Sequence, residues 1–462
     1  MNQLANCLTS ARFDRPSLSR FVIRIQSMSR NISRRRLLQQ GLVGTVACVA
    51  PQIISRSALA DEVRPAANDR VGLAIIGCGR RGVSYFNAPV PRAQIVATCD
   101  VHRTRAEQTA QNMGCSDFFQ DYLRVLDRKD VDGVMIAAPD HWHALMAIAA
   151  CQAGKHVYVD KPMTLCVVEG RRMVEAARKY KRIVQVGSQQ RSTVPNRDGC
   201  SFIRGGGIGK VTHVIGPNLA SPWICDFPGQ PVPAELDWEK WCGPAPLRPY
   251  HENLYACEGL PGWMVFQDYC AGTMGNWGGH AFDQVQWALG MDATGPVEVL
   301  VNGPALVPPR YSEPEKSERG NGICSSPSLA FKYANGTLFE LSTGAISGAI
   351  FQGEKGKVEI RRGSVHSNPK ELIENVQLPD GPIPTQAHIN NWLDCIASGE
   401  LPVADVEVGH RTATICHLGN IGRLLGRNLT WDPAAEKFSG DDEANQLLDR
   451  PRRKGYELSA SV

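Results

Sequence analysis

Asp160-Lys161-Pro162 follows Lys155-His156-Val157-Tyr158-Val159, which reads as a strand. A lysine at the carboxyl end of a strand can be drawn out of water. It then loses part of its preference for charge and can exchange a proton with a hydroxyl. An ordinary loop with a surface lysine fits the same triplet. A second polar group lies further on, where Asn276, His280 and Asp283 are spaced i, i+4 and i+7. On a helix that spacing puts an amide, an imidazole and a carboxylate on one face. Histidine carries protons near neutral pH, although a His280–Asp283 pair buried beneath a core has the same spacing. Asp140-His141-Trp142-His143 offers two imidazoles and a carboxylate. No companion Cys/His cluster has metal-ligand spacing, so no metal is expected. The tetrapeptide is read instead as a strand end that faces a cofactor.

Such groups need a scaffold, and the stretch 71–100 supplies one. Val71–Ile76 is a Val/Ile-rich run that reads as a buried parallel strand. Gly77-Cys78-Gly79-Arg80-Arg81-Gly82 follows at once, then an expected helix, then a second apolar run ending at Asp100. Gly77 permits the tight turn, Gly79 lets backbone approach a pyrophosphate, and Gly82 lets helix and strand pack closely. The helix N-terminus offers free N–H groups to phosphate. Asp100 is placed to accept hydrogen bonds from an adenosine ribose and to repel a 2′-phosphate, which favours NAD over NADP. His102, Arg103 and Arg105 soften that preference. The expected cofactor-binding set is therefore Gly77, Cys78, Gly79, Arg80, Arg81, Gly82, Asp100, Pro139, His143 and Lys161. A tight turn in an α/β protein without a nucleotide is the plainer alternative.

Strands and helices alternate as far as residue 186, which predicts a doubly wound parallel sheet. Expected helices include 104–113, 144–153 and 168–180. From about residue 188 the texture changes, and Pro, Trp and Gly rise through 217–279, which reads as long loops closing over a site. Residues 297–301, 329–333, 338–342, 349–352 and 357–360 read as successive strands of a large open, mostly antiparallel sheet. Helices are expected at 388–398 and 408–425. The organisation is thus 71–190 as a Rossmann domain and 191–462 as an α/β domain for substrate binding and oligomerisation. Residues 61–70 form a linker.

The 462 residues are 43% hydrophobic and 21% charged, with a net charge of +4, too small to argue for nucleic acid. Ser33-Arg34-Arg35-Arg36-Leu37-Leu38, a moderately apolar stretch and Ala58-Leu59-Ala60 make residues 1–60 an expected twin-arginine export signal, with a periplasmic or exported destination. A disordered basic N-terminus is the alternative. The 15 cysteines show no C-x-x-C pair and read as mostly reduced.

With these motifs in order, the sequence resembles the glucose–fructose oxidoreductase/inositol dehydrogenase/rhizopine-catabolism (Gfo/Idh/MocA) family. The carriers are the glycine turn, Ala138-Pro139-Asp140-His141-Trp142-His143, Asp160-Lys161-Pro162 and Gly279-His280-x-x-Asp283. Leu236-Asp237-Trp238-Glu239 with Trp241, Gly243, Pro244 and Pro246 is similar to exported members. The resemblance implies a Rossmann domain followed by a large open sheet, a nicotinamide cofactor, a sugar or polyol substrate, and a homo-oligomer (dimer or tetramer). It makes Lys161 the lysine of the family's E-K-P motif, a proton relay or substrate ligand. His280 becomes the histidine of its D-x-x-x-H pair. The chain departs at two places, with Asp160 for the glutamate and Asn276 for the aspartate. An amide can hydrogen-bond a hydroxyl but cannot take its proton, and Asp283 is a possible substitute. The expected activity is oxidation of a sugar or polyol hydroxyl by hydride transfer to NAD. The alternatives are a hydrolase that keeps NAD bound and a sugar-binding protein without turnover.

Overall fold

A computed structural model describes residues 69–86, 90–256, 262–313, 320–374, 376 and 385–458. The expected twin-arginine signal, residues 1–60, and most of the expected linker lie outside the described residues. Among those described, no helix is long and apolar enough to cross a membrane.

The first sheet is wholly parallel, in the order β3-β2-β1-β4-β5-β6. Its strands are β1 (Val71–Ile76), β2 (Ala93–Cys99), β3 (Phe118–Phe119), β4 (Gly133–Ile136), β5 (His156–Val159) and β6 (Val184–Val186). The strands between them are joined by helices α1 (Arg80–Ser84), α2 (Arg103–Met113), α3 (Tyr122–Leu126), α4 (Asp140–Gln152) and α5 (Val167–Lys179). Near-continuous apolar strands need cover on both faces. One face packs on Ala147, Cys151, Met173 and Ala177 of α4 and α5. The other buries Leu73, Met135 and Tyr158 against Ile389, Trp392 and Leu393. These last residues lie on a helix from far downstream, Thr385–Ser398.

The second sheet has nine strands, in the order β15 (Ser364–Asn368), β14 (Gly356–Arg361), β13, β7, β12, β11 (Ser328–Lys332), β9 (Glu298–Asn302), β16 (Leu429–Asp432) and β17 (Lys437–Phe438). Its central strand β7 (Val211–Pro217), absent from the expected set, pairs parallel with β12 (Leu338–Ser342) and antiparallel with β13 (Ala349–Gly353). The sheet is therefore mixed. Helix α8 (Gly272–Ala288) and the helix Val406–Leu425 cover one of its faces. Phe282 packs edge-on against Phe339 at 5.2 Å, within a core that also holds Phe331, Phe351, Ile415 and Leu418.

Two expectations change. The stretch 217–279 is not mere surface loop. Trp223, Phe227, Trp238, Trp241, Tyr250, Phe266 and Tyr269 form an aromatic core of their own around short helices, among them α7 (Trp238–Cys242). The indoles of Trp238 and Trp241 stack at 4.5 Å, and burial of rings on this scale gives a loop-rich segment a fixed shape. The segment is tied to the end of β2 by Asp237 N–H to the Val101 carbonyl (3.0 Å) and Arg103 N–H to the Glu235 carbonyl (2.9 Å). Secondly, α4 begins at Asp140, not Ala144, so Asp140, His141 and His143 occupy its first turn. Pro139 in extended conformation directly before the helix, with an acid in that turn, makes a sound helix start.

Candidate active site

The carboxyl ends of β1, β2, β4 and β5 open into a cleft of about 600 Å³. Sheet order reverses between β1 and β4, the switch point where such folds take ligands. Gly77, Gly79, Arg80, Arg81, Asp100, Pro139, His143, Lys161 and Asn276 all line this cleft. Cys78, Gly82, His280 and Asp283 are not among its lining residues.

The three glycines differ in what surrounds them. Gly77 has φ +92°, and a Cβ there would sit 2.6 Å from the Ala137 carbonyl. A Cβ on Gly82 would lie 1.9 Å from the Gly77 carbonyl oxygen, so bare backbone is what lets α1 close on the turn. A Cβ on Gly79 would meet nothing within 4 Å. That open space above the helix start is the cradle a pyrophosphate requires. Asp100 is held ready, with Oδ2 accepting the Cys78 N–H and Oδ1 the His102 N–H, each at 2.8 Å. Burial raises its pKa, opposed by Arg105, 4.0 Å away, and by those two N–H groups. Cys78 itself is buried and contributes backbone. The residues present fit a dinucleotide with an unphosphorylated ribose on Asp100.

Lys161 lies beyond β5, at the other end of the cleft. Its Nζ donates to Asn276 Oδ1 at 2.7 Å. Burial pulls its pKa below the ordinary lysine range against the opposing charges of Asp160 and Asp140. Asp160 accepts the Lys161 N–H (2.9 Å) and pairs with Arg81 Nε (2.9 Å). Burial alone would raise its pKa, but Arg81 and Lys161 bring it down to about 2. Arg81 is thereby committed to Asp160. His143 bridges two strand ends, with Nδ1 2.8 Å from the Pro162 carbonyl and Nε2 2.8 Å from the Ala138 carbonyl. Its role toward a cofactor is to hold those two loops. His141 Nε2 is likewise engaged, 2.9 Å from the Trp241 carbonyl.

The polar face of α8 divides. Asn276 reaches the cleft. His280 is 4% exposed, with Nδ1 buried and unpartnered. Burial, then the charge of Lys161, push its pKa well below the imidazole range, so it is neutral at pH 7. Asp283 is spent elsewhere. Both its oxygens accept from Arg191 Nε at 2.9 Å, and Oδ1 accepts from the Thr412 hydroxyl at 3.0 Å. Seven residues along a helix is roughly 10 Å of rise, so the same face carries Asp283 past the rim of the cleft. The structure does not bring Asp283 to the site, and its partner Arg191 was not anticipated.

Other residues join that sequence reasoning missed. Asp140 is buried beside Lys161, and burial pushes its carboxyl well above the usual range while Lys161 opposes. Trp263, Met264 and Trp277 add apolar lining to the cleft, with Met264 Sδ 3.6 Å from Asn276 Nδ2, and Tyr456 lines it as well. Long hydrophobic positions of this kind carry no signal separating them from core.

A parallel sheet with a glycine turn, a buried acid after its second strand and a buried lysine beyond β5, all on one cleft, defines a dinucleotide-binding enzyme scaffold. Residues 71–188 match the oxidoreductase family, NAD-binding Rossmann fold, and residues 208–458 match the oxidoreductase family, C-terminal alpha/beta domain. The chain belongs to the Gfo/Idh/MocA oxidoreductase family. It is 34% identical over 152 residues to scyllo-inositol 2-dehydrogenase (NAD(+)) of Bacillus subtilis, covering 32% of this chain and 44% of that one. It is 30% identical over 176 residues to a glycosyl hydrolase family 109 protein of Shewanella baltica, covering 33% and 38%. The chain spans about half the length of the first curated relatives it matches, 44%, 59% and 47%. Among solved structures, aldose-aldose oxidoreductase from Caulobacter crescentus complexed with glycerol has a TM-score of 0.54 at 17% identity, covering 78% of this chain and 99% of that one. A levoglucosan dehydrogenase in complex with NADH has a TM-score of 0.53 at 19% identity, covering 77% and 97%. These likenesses are of fold.

Proposed function

We propose that the chain is an NAD-dependent oxidoreductase that acts on a hydroxyl of a sugar or polyol. The observation that carries the reading is Lys161, a desolvated amine with Nζ 2.7 Å from Asn276 Oδ1, at the opposite end of the cleft from Asp100. NAD, when bound, supplies the hydride acceptor. The protein supplies orientation and proton transfer. A lysine whose pKa is lowered by burial is a competent base for the hydroxyl proton, and the Asn276 carbonyl fixes its Nζ without adding charge. Neutral His280 stands behind it and contributes no charge of its own. Trp263 and Trp277 line the cleft and give it aromatic surface of the kind that suits the C–H face of a sugar ring. The names of the inositol and levoglucosan dehydrogenases support the substrate class.

Lys161→Met tests this. NAD affinity should stay, while turnover of a polyol that the native protein oxidises falls roughly 10²–10⁴-fold. Near-normal turnover would remove Lys161 from the proton path.

A second reading is favoured by Asn276 and by the family 109 relative. NAD stays bound and cycles within each turnover while a glycosidic bond is cleaved. Release of sugar without net NADH separates the two. Twin-arginine export belongs to the same proposal, because that route carries folded protein with its cofactor in place. So does a homo-oligomer, formed through the face of the nine-stranded sheet that the helices leave open.

A further inference from the structure

The order β3-β2-β1-β4-β5-β6 fixes which end of the cleft is which. A dinucleotide crosses at the β1/β4 switch point, with one half over β4 and β5 near Lys161 and the other over β2 and β3. Asp100 at the end of β2 takes the adenosine ribose, so the adenine lies further out, toward Asp121, Tyr122 and Leu123. The chain's own C-terminal segment reaches the same place. Gly455, Tyr456 and Glu457 line the cleft alongside those residues.

This segment is pinned. Arg453 donates from Nε to the Gly243 carbonyl (2.6 Å) and from Nη2 to Glu239 Oε1 (2.6 Å), and its N–H reaches the Pro244 carbonyl (3.1 Å). The preceding residue, Arg452, donates from Nη2 to buried Glu169 at 3.0 Å. Leu458 packs against the Rossmann core. Tyr456 stands edge-on to Trp142, with centroids 5.5 Å apart and planes at 84°. Trp142 is itself locked by Nε1 donating to the Lys240 and Trp241 carbonyls, each at 3.0 Å. Tyr122 packs on the same indole at 5.7 Å. Two tyrosines thus flank one immobilised tryptophan at the adenosine end.

We propose that residues 455–457 complete the adenosine pocket, with the Tyr456 ring as an aromatic contact for the adenine. The inference rests on the NAD-binding part of the function proposed above. Purine on an aromatic face is a favourable, sequence-tolerant contact. A ring already held by Trp142 and the Arg453 clamp has little freedom left to lose on binding. The tail then serves as one wall of the site, although it follows the last sheet strand.

Calorimetry on the full chain with NAD, AMP and nicotinamide mononucleotide tests it. Tyr456→Ala should weaken NAD and AMP roughly tenfold (about 1.4 kcal/mol) and leave the mononucleotide unchanged. Tyr456→Phe should bind all three like the native chain, which separates loss of the ring from loss of the fold. Equal AMP affinity in native and Tyr456→Ala proteins would overturn the proposal. Tighter AMP binding by Tyr456→Ala would overturn it too, because the ring would then occupy the place of the adenine. A native chain that binds NAD but oxidises no polyol would sink the proposed activity and leave this inference standing.

Discussion

Asn276→Asp puts a carboxylate where the structure has a neutral carbonyl, against Lys161 Nζ at 2.7 Å. Unit charges about 4 Å apart, centre to centre, at an effective dielectric of about 20 interact by roughly 4 kcal/mol, or about 3 pH units. Part of that is lost to desolvation of the new carboxylate, and nearby opposite charges typically move a pKa by roughly 1–3 units. The new charge stabilises the ammonium, so the Lys161 pKa rises. Asp160, Asp140, Arg81 and Arg362 act on the same amine or its neighbours and are unchanged in the variant. In oxidation the neutral amine is the active form. The limb of the kcat/KM profile that rises with pH should therefore move upward by roughly 1–3 units. On that rising limb the rate at a fixed pH should fall about tenfold per unit of displacement. The assay is steady-state NADH formation across pH on one polyol, with NAD affinity measured in parallel. An unmoved limb, or one displaced to lower pH, would refute Lys161 as the base and the uncharged Asn276 as its tuner.

The glycine turn makes a paired prediction. Gly79→Val should abolish measurable NAD binding with little change in Tm, since Gly79 has an ordinary φ of −71° and its Cβ points into open space. Gly82→Ala should instead lower stability by about 1–3 kcal/mol in urea unfolding, because its Cβ meets the Gly77 carbonyl. Arg191→Met strands a buried Asp283 and should cost roughly 3–5 kcal/mol in the same unfolding measurement. NAD affinity of the folded protein should not change.

The Rossmann half was legible because its signals are local. Gly77, Gly79, Gly82 and Asp100 fall within one strand–turn–strand unit; Gly77 and Gly82 answer to backbone a few ångströms away, and Gly79 to the open cleft. The start of α4 was misplaced by one turn because Pro139-Asp140 reads equally as a strand exit and as a helix cap. Strand β7 escaped because Gly205–Gly207 before it and Thr212 and His213 within it break the apolar pattern. The meeting of Lys161 with Asn276, 115 residues apart, depends on tertiary packing that spacing does not encode. Angular periodicity grouped Asp283 with Asn276 and ignored axial rise, which is what separates them. Tyr456 had no local signature at all.

The cover that Ile389, Trp392 and Leu393 give to the parallel sheet bears on how the protein is made. A ribosome delivers β1 to β6 first and the helix that seals their second face only after seven of the nine strands of the second sheet, up to β15 (Ser364–Asn368), have emerged. Until then Leu73, Met135 and Tyr158 present an uncovered apolar surface, the kind that recruits chaperones and invites aggregation. The parallel sheet that carries the nucleotide site therefore gains its second cover from outside its own stretch of chain, and closing it is a late event of synthesis.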